Sequence, residues 1–152
     1  MSTGMPPAAD VRLVVGFDGS PPARRALDGA VNLLRGRAGS IEVVYVAHVP
    51  SIAALSASAV SEIEIGFNDV ERELRTLVGE QLRGHEERWG FERRQGLVVE
   101  ELLAAAKDTG AAHPDATVVI VVGSSSQAAH RIVGAVAVGL ARHSPVPLVV
   151  VP

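Results

Sequence analysis

Continuously apolar runs alternate along this chain with stretches in which apolar residues return every three or four positions. The first run, residues 11–17, is β-branched and reads as a strand. Ser20 then caps a helix with Pro21 in its first turn, and Ala23, Ala26, Leu27, Ala30, Val31 and Leu34 form one packing stripe. Gly36 and Gly39 end that helix. Residues 41–49 are too evenly apolar to leave one face in water, so they predict a central parallel strand covered on both sides, with Pro50 and Ser51 at its exit. Val70, Leu74, Leu77, Val78 and Leu82, set among Glu and Arg, predict an amphipathic helix over 68–88 ending at Trp89-Gly90. A short polar strand over 91–94 suits a sheet edge. A helix over 98–107 buries Val99, Leu102, Leu103 and Ala106; a strand over 117–122, a helix over 134–143 and a proline-bracketed strand within 146–152 complete the chain. Residues 1–10 read as a flexible Pro/Ala/Gly leader. Residues 51–66 show no sharp period and read either as a mobile loop or as the leading turns of the second helix.

Strands and helices alternating through short connections require a parallel sheet with right-handed crossovers. No repeat or linker interrupts the pattern, so 11–152 is expected to be a single α/β domain, an open doubly wound sheet with helices on both faces. Ligands of such sheets bind beyond the carboxyl ends of the strands, where the winding reverses. Two strand exits carry Gly/Ser loops, Asp18-Gly19-Ser20 and Gly123-Ser124-Ser125-Ser126. A loop between a buried strand and a helix N-terminus offers backbone N–H groups and a positive dipole end to an anion. If the first and fourth strands are neighbours, Asp18 and Gly123 face each other across a nucleotide crevice.

Composition narrows the function. With 152 residues, 47% of them hydrophobic, the chain can bury an ordinary core. It has no apolar run long enough to span a membrane, and its first residues have neither the basic nor the apolar part of a signal peptide, so a cytoplasmic location is expected. The absence of cysteine excludes disulfides, thiol catalysis and Cys-ligated zinc. A net charge of −3 argues against nucleic acid, and the arginines are scattered, with Lys107 the only lysine.

At this point the residues resemble the universal stress proteins. The resemblance runs from Val11 to Pro152. It rests on Val14-Val15-Gly16-Phe17-Asp18-Gly19-Ser20 with Ala26-Leu27, on Tyr45-Val46-Ala47-His48-Val49, on Arg94-Gln95-Gly96, and on Val121-Val122-Gly123-Ser124 through Gly134 to Ser144-Pro145-Val146-Pro147. It implies a five-stranded sheet of order 3-2-1-4-5, a homodimer joined through the last strand and, in one branch of the family, an ATP site, with magnesium accompanying the nucleotide. In that branch a glycine pattern closed by Ser or Thr contacts the phosphates. Gly123 matches its first glycine, but Ser126 stands at the second, and ten residues rather than twelve separate Gly123 from Gly134. Ala135 replaces the hydroxyl. One hydrogen bond to a charged group is worth about 1.5–3 kcal/mol, so that alanine weakens a phosphate site, and the shortened loop alters it further. Ser124, Ser125 and Ser126 bring compensating hydroxyls, and His130-Arg131 compensating charge.

The resemblance places Asp18 against the adenine or ribose, Gly16 and Phe17 along the base, the backbone of Val49 at its edge, and Gly134 and Ala135 in the phosphate pattern, with Val122 and Val136 beside them as further nucleotide-binding residues. Asp18 has a second role open to it, as a carboxylate that stabilises or caps the first helix; His130-Arg131 reads equally as a solvated loop pair. His48 is expected to be buried and hydrogen-bonded, and His85, His113 and His143 exposed. None has metal-ligand spacing, and no serine sits in a nucleophile elbow, so any hydrolysis is expected to be weak. Val146, Leu148, Val149, Val150 and Val151 would leave a hydrophobic strand edge bare, which pairing with a second copy covers symmetrically. The sequence reading is therefore an adenine-nucleotide-binding (ATP, AMP or cyclic AMP) stress-response module. The alternatives are a dimeric interaction protein with an empty crevice and a weak ATPase of the same fold.

Overall fold

A computed structural model describes residues 10–48, 56–124 and 134–152. Five parallel strands, β1 (Val11–Gly16), β2 (Gly39–Ala47), β3 (Trp89–Gln95), β4 (Thr117–Gly123) and β5 (Leu148–Val151), form one sheet of order β3-β2-β1-β4-β5. The expected order is borne out, with the polar strand β3 and the apolar strand β5 at the two edges. In β1 the consecutive residues Leu13, Val14 and Val15 are all buried because successive side chains enter opposite helical layers. Leu13 and Val15 join Leu27, Val43, Val78 and Val121 on the side of helices α1 (Pro21–Leu34) and α2 (Ala57–Gln81). Val14 joins Val44, Leu102, Ile120 and Leu140 on the side of α3 (Val98–Ala112) and α4 (Ala135–His143).

Local chemistry sets the ends of these elements. The Ser20 hydroxyl accepts from the N–H of Ala23 at 3.4 Å, and the two prolines that follow stand where a helix has no use for an N–H. Ser56 caps α2 in the same way, accepting from Ala59 at 3.2 Å. This resolves the open segment: 57–66 are leading turns of α2, which starts well before residue 68, while 51–55 lie outside the described residues. The helix also ends earlier than expected, at Gln81, and a turn with Gly84 at φ +91° leads through a 3-10 turn, Glu86–Arg88, into β3.

The absence of a period in the first turns of α2 has a physical cause. Val60 and Ile65 there are exposed, so no apolar stripe is needed. Polar contacts to the edge strand hold this part instead. Arg93 of β3 donates to Glu64 at 2.6 Å and to Asn68 at 2.8 Å and pairs with Glu71 at 3.4 Å. On the other face of β3, Arg94 pairs with Glu92 and with Asp108 of α3, each at 2.6 Å. Glu42 faces the same layer opposite Gly90, where a Cβ would come within 2.7 Å of its carboxylate. Burial, and then the nearby Glu92 charge, push the Glu42 carboxyl above its ordinary pKa.

Candidate functional site

From β1 the chain runs outward through β2 to β3 on one side, and from β3 it crosses back over β1 to β4 and β5 on the other. The sheet therefore reverses its winding between β1 and β4, which lie side by side with Val15 opposite Val121. Their exits open into a cleft of about 280 Å³. Gly16, Phe17, Asp18, Val122, Gly123, Gly134, Ala135 and Val136, all picked from sequence, line it together. Ser124 sits beside the lining residues rather than among them. Val49, Ser125, Ser126, His130 and Arg131 lie outside the described residues.

Each contributor is held by the local backbone. Phe17 extends the pairing of β1, its N–H donating to Val44 O at 2.9 Å, and its ring is buried with Leu13 and Val15, so it lends the cleft mainly backbone. Asp18 is exposed and accepts from the N–H of Ser20 at 3.0 Å. It thus braces the turn into α1, while Ser20 is the residue that caps the helix. Gly19, at φ +80°, makes that turn, and a side chain there would meet Leu74. Gly123 lies against the first turn of α1, where a Cβ would collide with the carbonyl of Pro22. Beyond it, Ser124 donates its N–H to Val151 O at 2.8 Å, and its own carbonyl accepts from Arg25 at 3.4 Å. The hydroxyl of Ser124, rather than its amide, is what remains for a ligand.

The N-terminus of α4 borders the same space. Gly134 is its cap residue and has no side chain to offer, and the first intrahelical bond is Val138 N–H to Gly134 O at 3.1 Å. Among the described residues the N–H groups of Ala135, Val136 and Ala137 are therefore open, at the positive end of the helix dipole. α3 also starts without a side-chain cap, at Leu97, beside the cleft residue Val98. By contrast, α1 is capped.

Sequence reasoning missed the opposite wall, made by Val44 and Val46 of β2 and Val98 and Leu102 of α3. The signal was present: Val44 and Val46 share the sheet face of Gly16, and Leu102 was read as core, which it also is. A Cβ at Gly16 would come within 3.1 Å of Leu102, so glycine there keeps the floor of the cleft low. Among the described residues the cleft thus joins an apolar slot to a polar end with one carboxylate, Asp18, and helix amides without a partner. Such a site can hold a flat apolar-faced group, engage its hydroxyls and meet an attached anion. Among the described residues no cluster of three or more His, Cys, Asp or Glu could hold a metal ion, and no helix is long and apolar enough to cross a membrane. His48 is exposed at the end of β2 rather than buried, because the strand has left the helical layers by that point; His85, His113 and His143 are exposed as expected.

The family model described as Universal stress protein family matches residues 11–152. No curated protein matches the chain by sequence. Among solved structures, a universal stress protein in complex with cAMP is similar at 21% identity and a TM-score of 0.65, over 95% of this chain and 99% of its own. The universal stress protein from Archaeoglobus fulgidus in complex with dAMP is similar at 16% identity and 0.58, over 95% and 98%. A universal stress protein family protein from Arabidopsis thaliana with AMP bound is similar at 11% identity and 0.62, over 93% and 90%. At these identities the likeness establishes the fold.

Proposed function

The chain belongs to the universal stress protein family, and we propose that it binds an adenine nucleotide in the cleft above β1 and β4 as a stress-response regulator. The observation that carries this reading is the N-terminus of α4, uncapped among the described residues, set across one cleft from Asp18 and beside an apolar wall. The adenine lies against Val44, Val46, Val98 and Leu102, and Asp18 accepts from a ribose hydroxyl. The amides of Ala135 and Val136 meet the phosphate next to the sugar, with Gly123 giving it room and the Ser124 hydroxyl at its side. Val49, Ser125, Ser126, His130 and Arg131 complete the proposed site. Three similar structures hold cAMP, dAMP or AMP, which supports a nucleotide with one phosphate.

AMP and cyclic AMP bind in preference to ATP because Ala135 lacks the hydroxyl and the 123–134 spacing is short. Where ATP does bind, magnesium comes with it rather than from a resident site. The protein acts as a cytoplasmic homodimer, pairing β5 with the same strand of a second copy. Titration calorimetry with AMP, cyclic AMP and ATP tests the reading, together with mass spectrometry of small molecules released on denaturing protein purified without added ligand. Absence of binding and of released nucleotide overturns it. That result would favour a dimeric interaction protein with an empty cleft, a reading consistent with Asp18 being the one ionisable side chain among the described lining residues.

A further inference from the structure

Pro22, Arg25 and Gly29 follow one another at helical spacing and so share one face of α1. Both ends of that face are pressed onto the sheet. At Pro22 the carbonyl leaves no room for a Cβ on Gly123 of β4, and at Gly29 a Cβ would come within 2.7 Å of the Val151 side chain of β5. Arg25 stands between these two contacts, so its side chain leaves the helix beside the exits of β4 and β5. It is half-buried, and its guanidinium donates to Ser124 O at 3.4 Å. The N–H of the same serine is already held by Val151 O at 2.8 Å.

Nothing on α1 itself accounts for a cation at this position. Asp28, the one carboxylate of the helix, accepts instead from Gln81 of α2 at 2.8 Å. Arg25 forms no ion pair among the described residues, which include every Asp and Glu of the chain. A cation in the first half of a helix also gains nothing from the dipole. The cleft, by contrast, lacks what Arg25 supplies: its described lining residues include the carboxylate of Asp18 and no Lys, Arg or His.

We infer that Arg25 is a positioning residue for the phosphate end of the nucleotide cleft and acts through Ser124. The inference rests on the nucleotide reading above. Arg25 engages the negative end of the Ser124 carbonyl, which would otherwise repel an anion at this strand exit. With both backbone groups of Ser124 committed, the hydroxyl is left for the ligand. The guanidinium also sets a positive charge behind Ser124, partly buried and so little screened, where it favours a phosphate that it does not touch. The consequence is selectivity: the site prefers a phosphate-bearing adenine nucleotide to adenosine by more than the amides of α4 alone provide.

The test measures AMP and adenosine binding to the full chain by titration calorimetry at low and high salt. In Arg25→Gln, AMP binding should weaken about three- to ten-fold and adenosine binding by no more than about two-fold. The fall of AMP affinity with added salt should also be shallower than in the wild type. Arg25→Lys keeps the charge and a donor, and should restore most of the AMP preference. Arg35→Gln makes the same change of charge at the far end of α1 and should leave both affinities unchanged. With AMP bound by the wild type, three results overturn the role of Arg25 while the nucleotide reading stands: losses for AMP and adenosine that are equal or absent in Arg25→Gln, no recovery in Arg25→Lys, or a matching loss in Arg35→Gln. Absence of AMP binding to the wild type overturns both.

Discussion

Gly123 at the end of β4 is pressed against the carbonyl of Pro22 in the first turn of α1, with no room for a side chain between them. This contact brings the two strand exits into one cleft. Gly123→Ala forces backbone apart in a packed region, at a cost of about 1–3 kcal/mol, or a fall of roughly 3–10 °C in Tm. Thermal unfolding followed by circular dichroism measures it, and nucleotide affinity should fall with it.

Asp18→Ala separates binding from folding. The carboxylate is exposed and its one hydrogen bond among the described residues is to the N–H of Ser20, so a Tm change within about 3 °C is expected. AMP affinity should drop about ten- to a hundred-fold if a ribose hydroxyl bonds to it. Calorimetry showing equal affinity in both proteins contradicts the ribose role.

Ala135→Ser returns a hydroxyl to the first position of α4, beside three amides that are open among the described residues. Binding of phosphate-bearing ligands should tighten by up to about ten-fold, and binding of adenosine should not change. An equal gain for adenosine would mean that the hydroxyl acts on the sugar instead.

Glu42→Gln should stabilise the protein in a pH-dependent way. Burial and Glu92 raise the carboxyl of Glu42 above its ordinary 4.5, so the folded chain holds this proton more tightly than the unfolded one. The wild type therefore loses stability as pH rises through the raised value. The variant avoids that loss: its Tm should exceed the wild type's at neutral pH, and the gap should close as pH falls below the ordinary carboxylate range. A gap independent of pH would point to packing rather than charge.

Arg93→Ala cuts the bonds to Glu64 and Asn68 that hold the first turns of α2 on the sheet edge. Exposed pairs contribute about 0.2–1 kcal/mol each, so global stability should barely move. Hydrogen exchange over 57–70 should nevertheless accelerate, and unchanged exchange would show that the helix holds itself.

The layered sheet was legible because buried parallel strands must be apolar on both faces, which 11–17, 41–49 and 117–122 plainly are. Two of its strand exits, at Asp18 and Gly123, carried the loop chemistry that located the cleft. Other features depended on contacts the pattern does not encode. The start of α2 rests on Ser56 and on salt bridges to Arg93, neither of which produces a hydrophobic period. Val44, Val46 and Leu102 look like core from sequence because they pack in the core and wall the cleft at once. His48 follows an apolar strand and so reads as buried, but one residue beyond Ala47 the chain has already reached the surface.

Ser124 is a shared joint. Its N–H is tied to the carbonyl of Val151 at the outer strand, and its carbonyl is tied to Arg25 on a helix of the opposite layer. The segment that leaves Ser124 toward Gly134 thus starts from an anchor whose position is fixed by β5. A pull on that outermost strand therefore reaches the mouth of the cleft through the one hydrogen bond from Ser124 to Val151, while the bond from Arg25 holds the same residue from the helical side.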